Sequence, residues 1–258
     1  MLTTLEAMNP DAGERRYGLK AANLARLFQA GLPVPPGFVI GPEAEAFEAM
    51  ERDILESFAA LDCARVAVRS SASGEDGRSA SFAGMFESSI NVTAEGLLDG
   101  IRSCLASARA PRVRRYCLLR RVDPDGLRVA VIVQAMVDGP RLSGILFTRD
   151  PTGKTGWMVL EAAPGACDAV TLGRASVVRR FLDLRTGECR SSPGPGEGPG
   201  PGLIDRPLAA DLAGMGRRIE ELFGCPQDIE WSLDRNGGLW ILQARPVTAL
   251  GSFQGGTG

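Results

Sequence analysis

Near one end of the sequence, Gln227-Asp228-Ile229-Glu230-Trp231-Ser232-Leu233-Asp234 and Leu239-Trp240-Ile241-Leu242-Gln243-Ala244-Arg245-Pro246 flank Arg235-Asn236-Gly237-Gly238. Asn-Gly between two alternating runs is a strong hairpin signal. With Asn236-Gly237 as a two-residue loop, Arg235 faces Gly238, and counting outward sets Glu230 opposite Gln243 and Asp228 opposite Arg245. Directly opposed residues share a sheet face with Cβ atoms about 5 Å apart, so two carbonyl-bearing side chains stand side by side with an arginine next along. The same count sends Ile229, Trp231, Leu233, Trp240 and Leu242 to the other face. One face reads as core and the other as chemistry; an edge hairpin with a solvated polar face fits these residues equally well.

A second stretch runs from Val66-Ala67-Val68-Arg69 through the small residues Ser70-Ser71-Ala72-Ser73-Gly74 to Phe86-Glu87-Ser88. Small residues let backbone N–H groups approach an anion, and an arginine forks onto phosphate oxygens. A polyphosphate is the natural ligand, with a plain Ser/Gly loop as the alternative. Of 29 basic residues only Lys20 and Lys154 are lysine, and a lysine kept against that bias suits a site needing a compact ammonium. The chain contains no histidine, which removes the commonest general base and metal ligand. Thr152-Gly153-Lys154-Thr155 imitates the end of a P-loop, but Thr148 stands where that motif requires glycine.

The elements that must position these groups follow from periodicity. Residues 18–31 predict a helix with Leu24, Leu27 and Phe28 on one face and Gly31 at its stop, and Pro33, Pro35 and Pro36 prevent its continuation. Lys20 then lies in the first turn, where the helix dipole disfavours a cation by some tenths of a kcal/mol unless an anion sits there. Further helices are expected at 42–60, 94–107 and 207–223, and strands at 65–69, 86–92, 127–137, 145–148, 157–161 and 176–183. The Pro/Gly run from Ser191 to Gly202 predicts a mobile loop, and 251–258 a flexible tail.

A length of 258 residues with 44% hydrophobic content allows one large domain or two smaller ones. No apolar run reaches the roughly 18 residues of a membrane span, and the first residues lack the pattern of a signal peptide; a cytoplasmic protein without membrane contact is expected. Six widely spaced cysteines without a CxxC pair indicate neither a zinc site nor a disulfide framework. The net charge of −2 argues against a nucleic-acid partner, and the arginines from Arg109 to Arg121 read as a solvated helix face.

Five blocks carry a resemblance: GLKAANLARLFQAGLPVPPGFVI (18–40), VAVRSSASGEDGRSASFAGMFESSINV (66–92), VIVQAMV with SGILFTRDPTG (131–153), LEAAPG (160–165) and DIEW with LQARPVT (228–248). In order and over nearly the whole chain, they resemble the ATP-binding domain of the phosphoenolpyruvate synthase and pyruvate phosphate dikinase family, a domain that rifampin phosphotransferase shares. The resemblance implies an α+β, ATP-grasp fold of two subdomains closing on ATP, here 1–134 and 135–250. It implies Lys20, Arg69 and Arg245 on the phosphates, and Gly84 and Ser88 in the loop that covers them. Gln134, Met136 and Val137 match the strand framing adenine, and Glu230 with Gln243 matches the Mg²⁺-binding pair. A carboxylate and an amide oxygen suit a hard ion that keeps several waters, and Asp228 reads as the orienting partner of Arg245.

The function so implied is phosphoryl transfer from ATP, by positioning and charge neutralisation around the triphosphate. Family members join this domain to one carrying a phosphorylated histidine; without histidine here, the acceptor is expected to be a histidine on a separate domain or chain. A compact ATP-grasp kinase or ligase acting on a small molecule, and a nucleotide-binding module without turnover, are the alternatives. The chain departs from the family pattern in a short stretch between Gly41 and Val66 and in Met85, where glutamine is usual.

Overall fold

The computed structural model describes residues 1–42, 47–72, 76–77, 80–81, 85–120, 122–124, 126–153, 155–167, 170, 177–191 and 202–247. Gly84, Lys154 and most of the expected Pro/Gly loop and tail therefore lie outside the described residues. The chain forms two compact units, Met1–Met136 and Val137–Gly258.

The first unit runs β1 (Leu2–Thr4), α1 (Pro10–Tyr17), α2 (Leu19–Gln29), β2 (Gly37–Ile40), α3 (Glu51–Ala60), β3 (Val66–Ala72), β4 (Asp76–Gly77), β5 (Ala80–Ser81), β6 (Ser89–Val92), α4 (Ala94–Ser107), α5 (Pro111–Arg120) and β7 (Val129–Ala135). A five-stranded antiparallel sheet has the order β1-β2-β7-β3-β6, and β4 pairs with β5 apart from it. Val66 and Val68 of β3, Val131 and Val133 of β7 and Phe38 and Ile40 of β2 form one face, packed on Ile54 of α3 and Leu97, Ile101 and Cys104 of α4. Each large apolar side chain buried there contributes about 1.5–3 kcal/mol. Ala67, Arg69, Ser71, Ile132 and Gln134 alternate onto the opposite face.

Helix α1 has no counterpart among the helices expected from periodicity. Its signal is local: Asn9 caps it, accepting from the backbone N–H groups of Asp11 and Ala12, with Pro10 in the first turn. The strands β1 and β2, of three and four residues, are too brief to show alternation in the sequence. The helix expected at 42–60 is a short 3₁₀ turn at Glu48–Met50 followed by α3.

The second unit contains β8 (Leu142–Phe147), β9 (Trp157–Pro164), β10 (Val178–Asp183), β11 (Cys189–Ser191), α6 (Arg206–Phe223), β12 (Gln227–Leu233) and β13 (Leu239–Pro246). One antiparallel sheet has the order β11-β10-β9-β8-β12-β13. Asp205 caps α6 by accepting from Leu208 N at 2.9 Å, and Gly224 ends it in the left-handed conformation. The helix covers the face carrying Leu146, Met158, Leu160, Ile229 and Trp231; a Cβ on Gly216 would lie 2.9 Å from Leu146 Cδ2. The architecture is α+β, as expected. Among the described residues no helix is long and apolar enough to cross a membrane.

Candidate functional site

In the second unit the polar face of the hairpin has the expected pairing, reached by a different route. Glu230 opposes Gln243 and Asp228 opposes Arg245. Nearer the turn, however, Trp231 opposes Ile241, Ser232 opposes Trp240 and Leu233 opposes Leu239. The loop is thus one residue longer than a two-residue turn, and a register shift between Glu230 and Trp231 leaves Leu242 as the extra residue that restores the pairing. A two-residue type I′ loop needs positive φ at both central residues, but of Asn236 and Gly237 only Gly237 has it, at 86°. The Asp234 carboxylate closes the longer loop, accepting from Asn236 N and Gly238 N at 2.8 Å each and from Trp240 Nε1 at 2.9 Å. These bonds, that of Trp240 foremost, hold the Asp234 carboxyl below its ordinary pKa.

The shift also corrects the core face. Ile241, not Trp240 and Leu242, shares it with the fully buried Trp231, while Trp240 and Leu242 are half-buried. Ile229 packs there as expected and Ala244 opposes it.

Arg245 is held by its partner: its Nε donates to Asp228 Oδ2 at 2.9 Å, and its Nη2 lies 2.8 Å from the same oxygen. Asp228 is buried and Arg245 half-buried, so the guanidinium is oriented yet reachable. Gln243 is buried and Glu230 half-buried. Their carboxylate and amide are hard oxygen donors on adjacent strands, a set that fits a divalent cation keeping water and phosphate ligands. Among the described residues no group of three or more His, Cys, Asp or Glu forms a closed cage.

Strand order adds a residue that the sequence did not single out. Ile145 opposes Glu230 on one side and Glu161 on the other, so Glu161 lies in the same row, two strands away, ion-paired with Arg179. Nothing local marks it, because the β8–β9 and β8–β12 pairings join segments far apart in the chain.

In the first unit, Lys20 and Arg69 gather at the face opposite α4. Lys20 Nζ donates to Ser70 O at 3.0 Å, and Ala21 N donates to Ser71 Oγ at 3.1 Å, which docks the start of α2 on β3. Gly18 permits this approach, with φ of 82° and a Cβ position only 2.6 Å from Ser71 Oγ and 2.7 Å from Ala72 O. Arg69 and Lys20 are both half-buried. The sequence presents Ser71 only as a small residue after Arg69; in the structure it is the last residue but one of β3.

Gln134 is the last residue but one of β7, paired with Gly37 of β2 on one side and Ala67 of β3 on the other, and its Nε2 donates to Pro35 O at 3.3 Å. Its side-chain amide therefore ties the proline-rich segment to the sheet. Met136 N donates to Arg65 O at 3.0 Å, and the junction between the two units falls between Met136 and Val137. Ser88 is exposed just before β6. The P-loop imitation has a structural explanation: Asp150 accepts from Thr152 N at 2.8 Å and Thr152 Oγ1 at 2.7 Å, and Thr148 Oγ1 accepts from Gln227 N at 2.8 Å.

Comparison with known proteins adds identity to this geometry. Residues 44–192 and 195–255 match the family described as pyruvate phosphate dikinase, AMP/ATP-binding domain. A probable phosphoenolpyruvate synthase of Methanothermobacter thermautotrophicus is 32% identical over 304 aligned positions, covering 91% of this chain and 44% of that protein. The prodigiosin synthesizing transferase PigC of Serratia marcescens is 30% identical, covering 90% of this chain and 32% of that protein. A rifampicin phosphotransferase of a Streptomyces species is 37% identical over 204 positions, covering 71% of this chain and 23% of that protein. The chain thus spans less than half the length of these relatives. With the family match extending over most of the sequence, the chain belongs to the pyruvate phosphate dikinase AMP/ATP-binding domain family.

Proposed function

We propose that this chain is the ATP-grasp component of a dikinase-type phosphotransferase: it binds ATP with Mg²⁺ and passes the β-phosphoryl group to a histidine on a further domain or a separate chain. The observation that carries the reading is the polar face of the β12–β13 hairpin, where Glu230 opposes Gln243 and Asp228 holds Arg245. Family membership supports the nucleotide, and the absence of histidine from the chain supports an acceptor elsewhere. A cytoplasmic setting, where ATP is available, belongs to the same reading.

In this mechanism Lys20, Arg69 and Arg245 each bring positive charge to the triphosphate. Glu230 and Gln243 hold the magnesium ion, which when bound neutralises charge spreading over the phosphate oxygens. Gln134, Met136 and Val137 frame adenine, while Gly84 and Ser88 belong to the cover over the phosphates. An imidazole nitrogen of the acceptor attacks the β-phosphorus and the bond from that phosphorus to the bridging α-phosphate oxygen breaks, so that AMP leaves with that oxygen and the histidine carries the β- and γ-phosphates as a pyrophosphoryl group. Attack of water on the γ-phosphorus then breaks the β–γ bridge, releases inorganic phosphate and leaves the β-phosphoryl group on the histidine. The protein's share is alignment and charge, since phosphoryl transfer demands little acid–base chemistry. Loss of one such contact costs about 2.7–4 kcal/mol in the transition state, by analogy with oxyanion-hole deletions.

The test is Glu230→Ala. Mg²⁺-dependent turnover should fall by at least about a hundredfold with the circular-dichroism spectrum unchanged; a variant with full activity would refute the metal site. Product analysis addresses the reaction class: AMP supports the dikinase half-reaction, and ADP ordinary kinase chemistry. One observation favours a second reading, transfer to a small molecule: the relative named rifampicin phosphotransferase is 37% identical.

A further inference from the structure

We propose that the outward face of α5 is a docking surface for an acidic amphipathic helix of a partner protein. Leu118 and Leu119 are 64% and 75% exposed, more than any other described large apolar side chain. A single exposed leucine is ordinary, but two in succession on one short helix leave apolar area that a partner can remove from water.

The helix sets the geometry of this face. Val113 and Cys117, four residues apart, are buried and pack on Ala72, the last residue of β3, and on Phe86. Arg114, Arg115, Leu118 and Leu119 are all exposed and turn the other way. Arg114 stands one turn before Leu118, and Arg115 one turn before Leu119, so cations and apolar groups share the face. Its charge has one sign: from Gly100 to Val122 the chain has seven arginines and no aspartate or glutamate. Of these, Arg112 pairs with Glu87 and Arg120 lies 5.5 Å over the Tyr116 ring.

That mixture selects the occupant. A membrane-surface helix keeps its leucines on one face and its cations on the other, because only the apolar face enters the acyl boundary; α5 interleaves them. A nucleic-acid backbone would engage the arginines and leave both leucines in water. A helix carrying leucines between glutamates answers both groups, its leucines covering Leu118 and Leu119 and its carboxylates meeting the guanidinium forks. Ala72 and Phe86, on which α5 packs, flank in sequence the segment that holds Gly84. That a partner seated here adjoins the phosphate cover rests on the function proposed above; the surface and its occupant do not.

The test uses the whole chain and a fluorescein-labelled peptide of about 18 residues with leucine at helical spacing and glutamate elsewhere, followed by fluorescence anisotropy. Saturable one-to-one binding that weakens as salt rises is expected, and the same peptide with lysine in place of glutamate should bind at least roughly tenfold more weakly. Leu119→Ser and Arg115→Glu, both at exposed positions, should each lower affinity roughly tenfold or more, with circular-dichroism spectrum and ATP affinity unchanged. No binding of the acidic peptide, equal binding of the lysine peptide, unchanged affinity in both variants, or capture by phosphatidylserine vesicles in place of the peptide would each overturn the proposal. Because α5 shares no residue with the hairpin, these outcomes are independent of the Glu230→Ala result.

Discussion

Two side chains bear most of the proposed phosphate chemistry, and each is held by a contact that makes its role testable. Lys20 reaches β3 through Ser70 O, which places its ammonium at the sheet face where Arg69 stands. Lys20→Ala should weaken ATP about tenfold to a hundredfold while leaving adenosine nearly unaffected, since a lost charge-assisted contact costs about 1.5–3 kcal/mol; calorimetric titration of both ligands reads this, and equal losses would remove Lys20 from the phosphates. Arg245 depends on Asp228, a buried carboxylate that accepts two of its N–H groups. Asp228 is a positioning residue in this reading. Asp228→Ala should lower turnover roughly tenfold or more with a smaller change in ATP affinity, and Asp228→Asn, which keeps an acceptor oxygen, should recover part of it. Equal damage from both variants, with parallel loss of stability, would reduce the pair to a structural contact. The opposition of Asp228 to Arg245 was legible by counting outward from Asn236-Gly237, because the longer loop and the bulge shift the register by equal and opposite steps; Glu161 was not, because its place in the same row depends on strands brought together from distant segments.

At the scale of elements, the hairpin and the α2–β3 contact are decided by their turns. Asp234 ionises more readily in the folded turn than in the unfolded chain, because Trp240 Nε1 and the turn N–H groups donate to its carboxylate. A lowered pKa of this kind stabilises the fold above the ordinary aspartate value of about 3.9, and that contribution is lost as pH falls below it. The Trp240 indole N–H resonance should therefore stay fixed from neutral pH down to about 4 and shift only in more acid solution; in Asp234→Ala it should be displaced at all pH values. A titration centred near pH 7 would show that another group governs the turn. In the other unit, Gly18→Ala places a Cβ against Ser71 Oγ and the Ala72 carbonyl at positive φ, so stability should fall by about 1–3 kcal/mol and ATP affinity should fall with it as Lys20 moves. Thermal unfolding and ATP titration of the same variant check both. The hairpin shows how far a sequence count reaches. Asn-Gly located the turn, but the loop takes one extra residue, Arg235, from the β12 side and the bulge one, Leu242, from β13, so the two shifts cancel, and only hydrogen bonding to Asp234 tells a three-residue loop from a two-residue one.

At the scale of the whole molecule, the chain spans less than half of the relatives it matches and contains no histidine. AMP formation from ATP should therefore be slow for this chain alone and should rise at least about tenfold when a histidine-bearing domain from a relative is added, with phosphate appearing on that histidine; substitution of the histidine should abolish the gain. ADP formed at the same rate with and without that domain would favour the small-molecule reading instead. The sequence by itself determined which elements exist where periodicity is long, as in α2, α4 and α6, and which residue types line the hairpin's polar face, because alternation and helical spacing are properties of neighbours along the chain. It also determined family membership, through five ordered blocks. Tertiary structure alone decided which side of each sheet became core, that Ile241 rather than Trp240 packs beside Trp231, and that Ser71 docks α2. Those outcomes depend on pairings between segments far apart in the chain, where register, bulges and close backbone approach are set by packing and hydrogen bonding rather than by local preference.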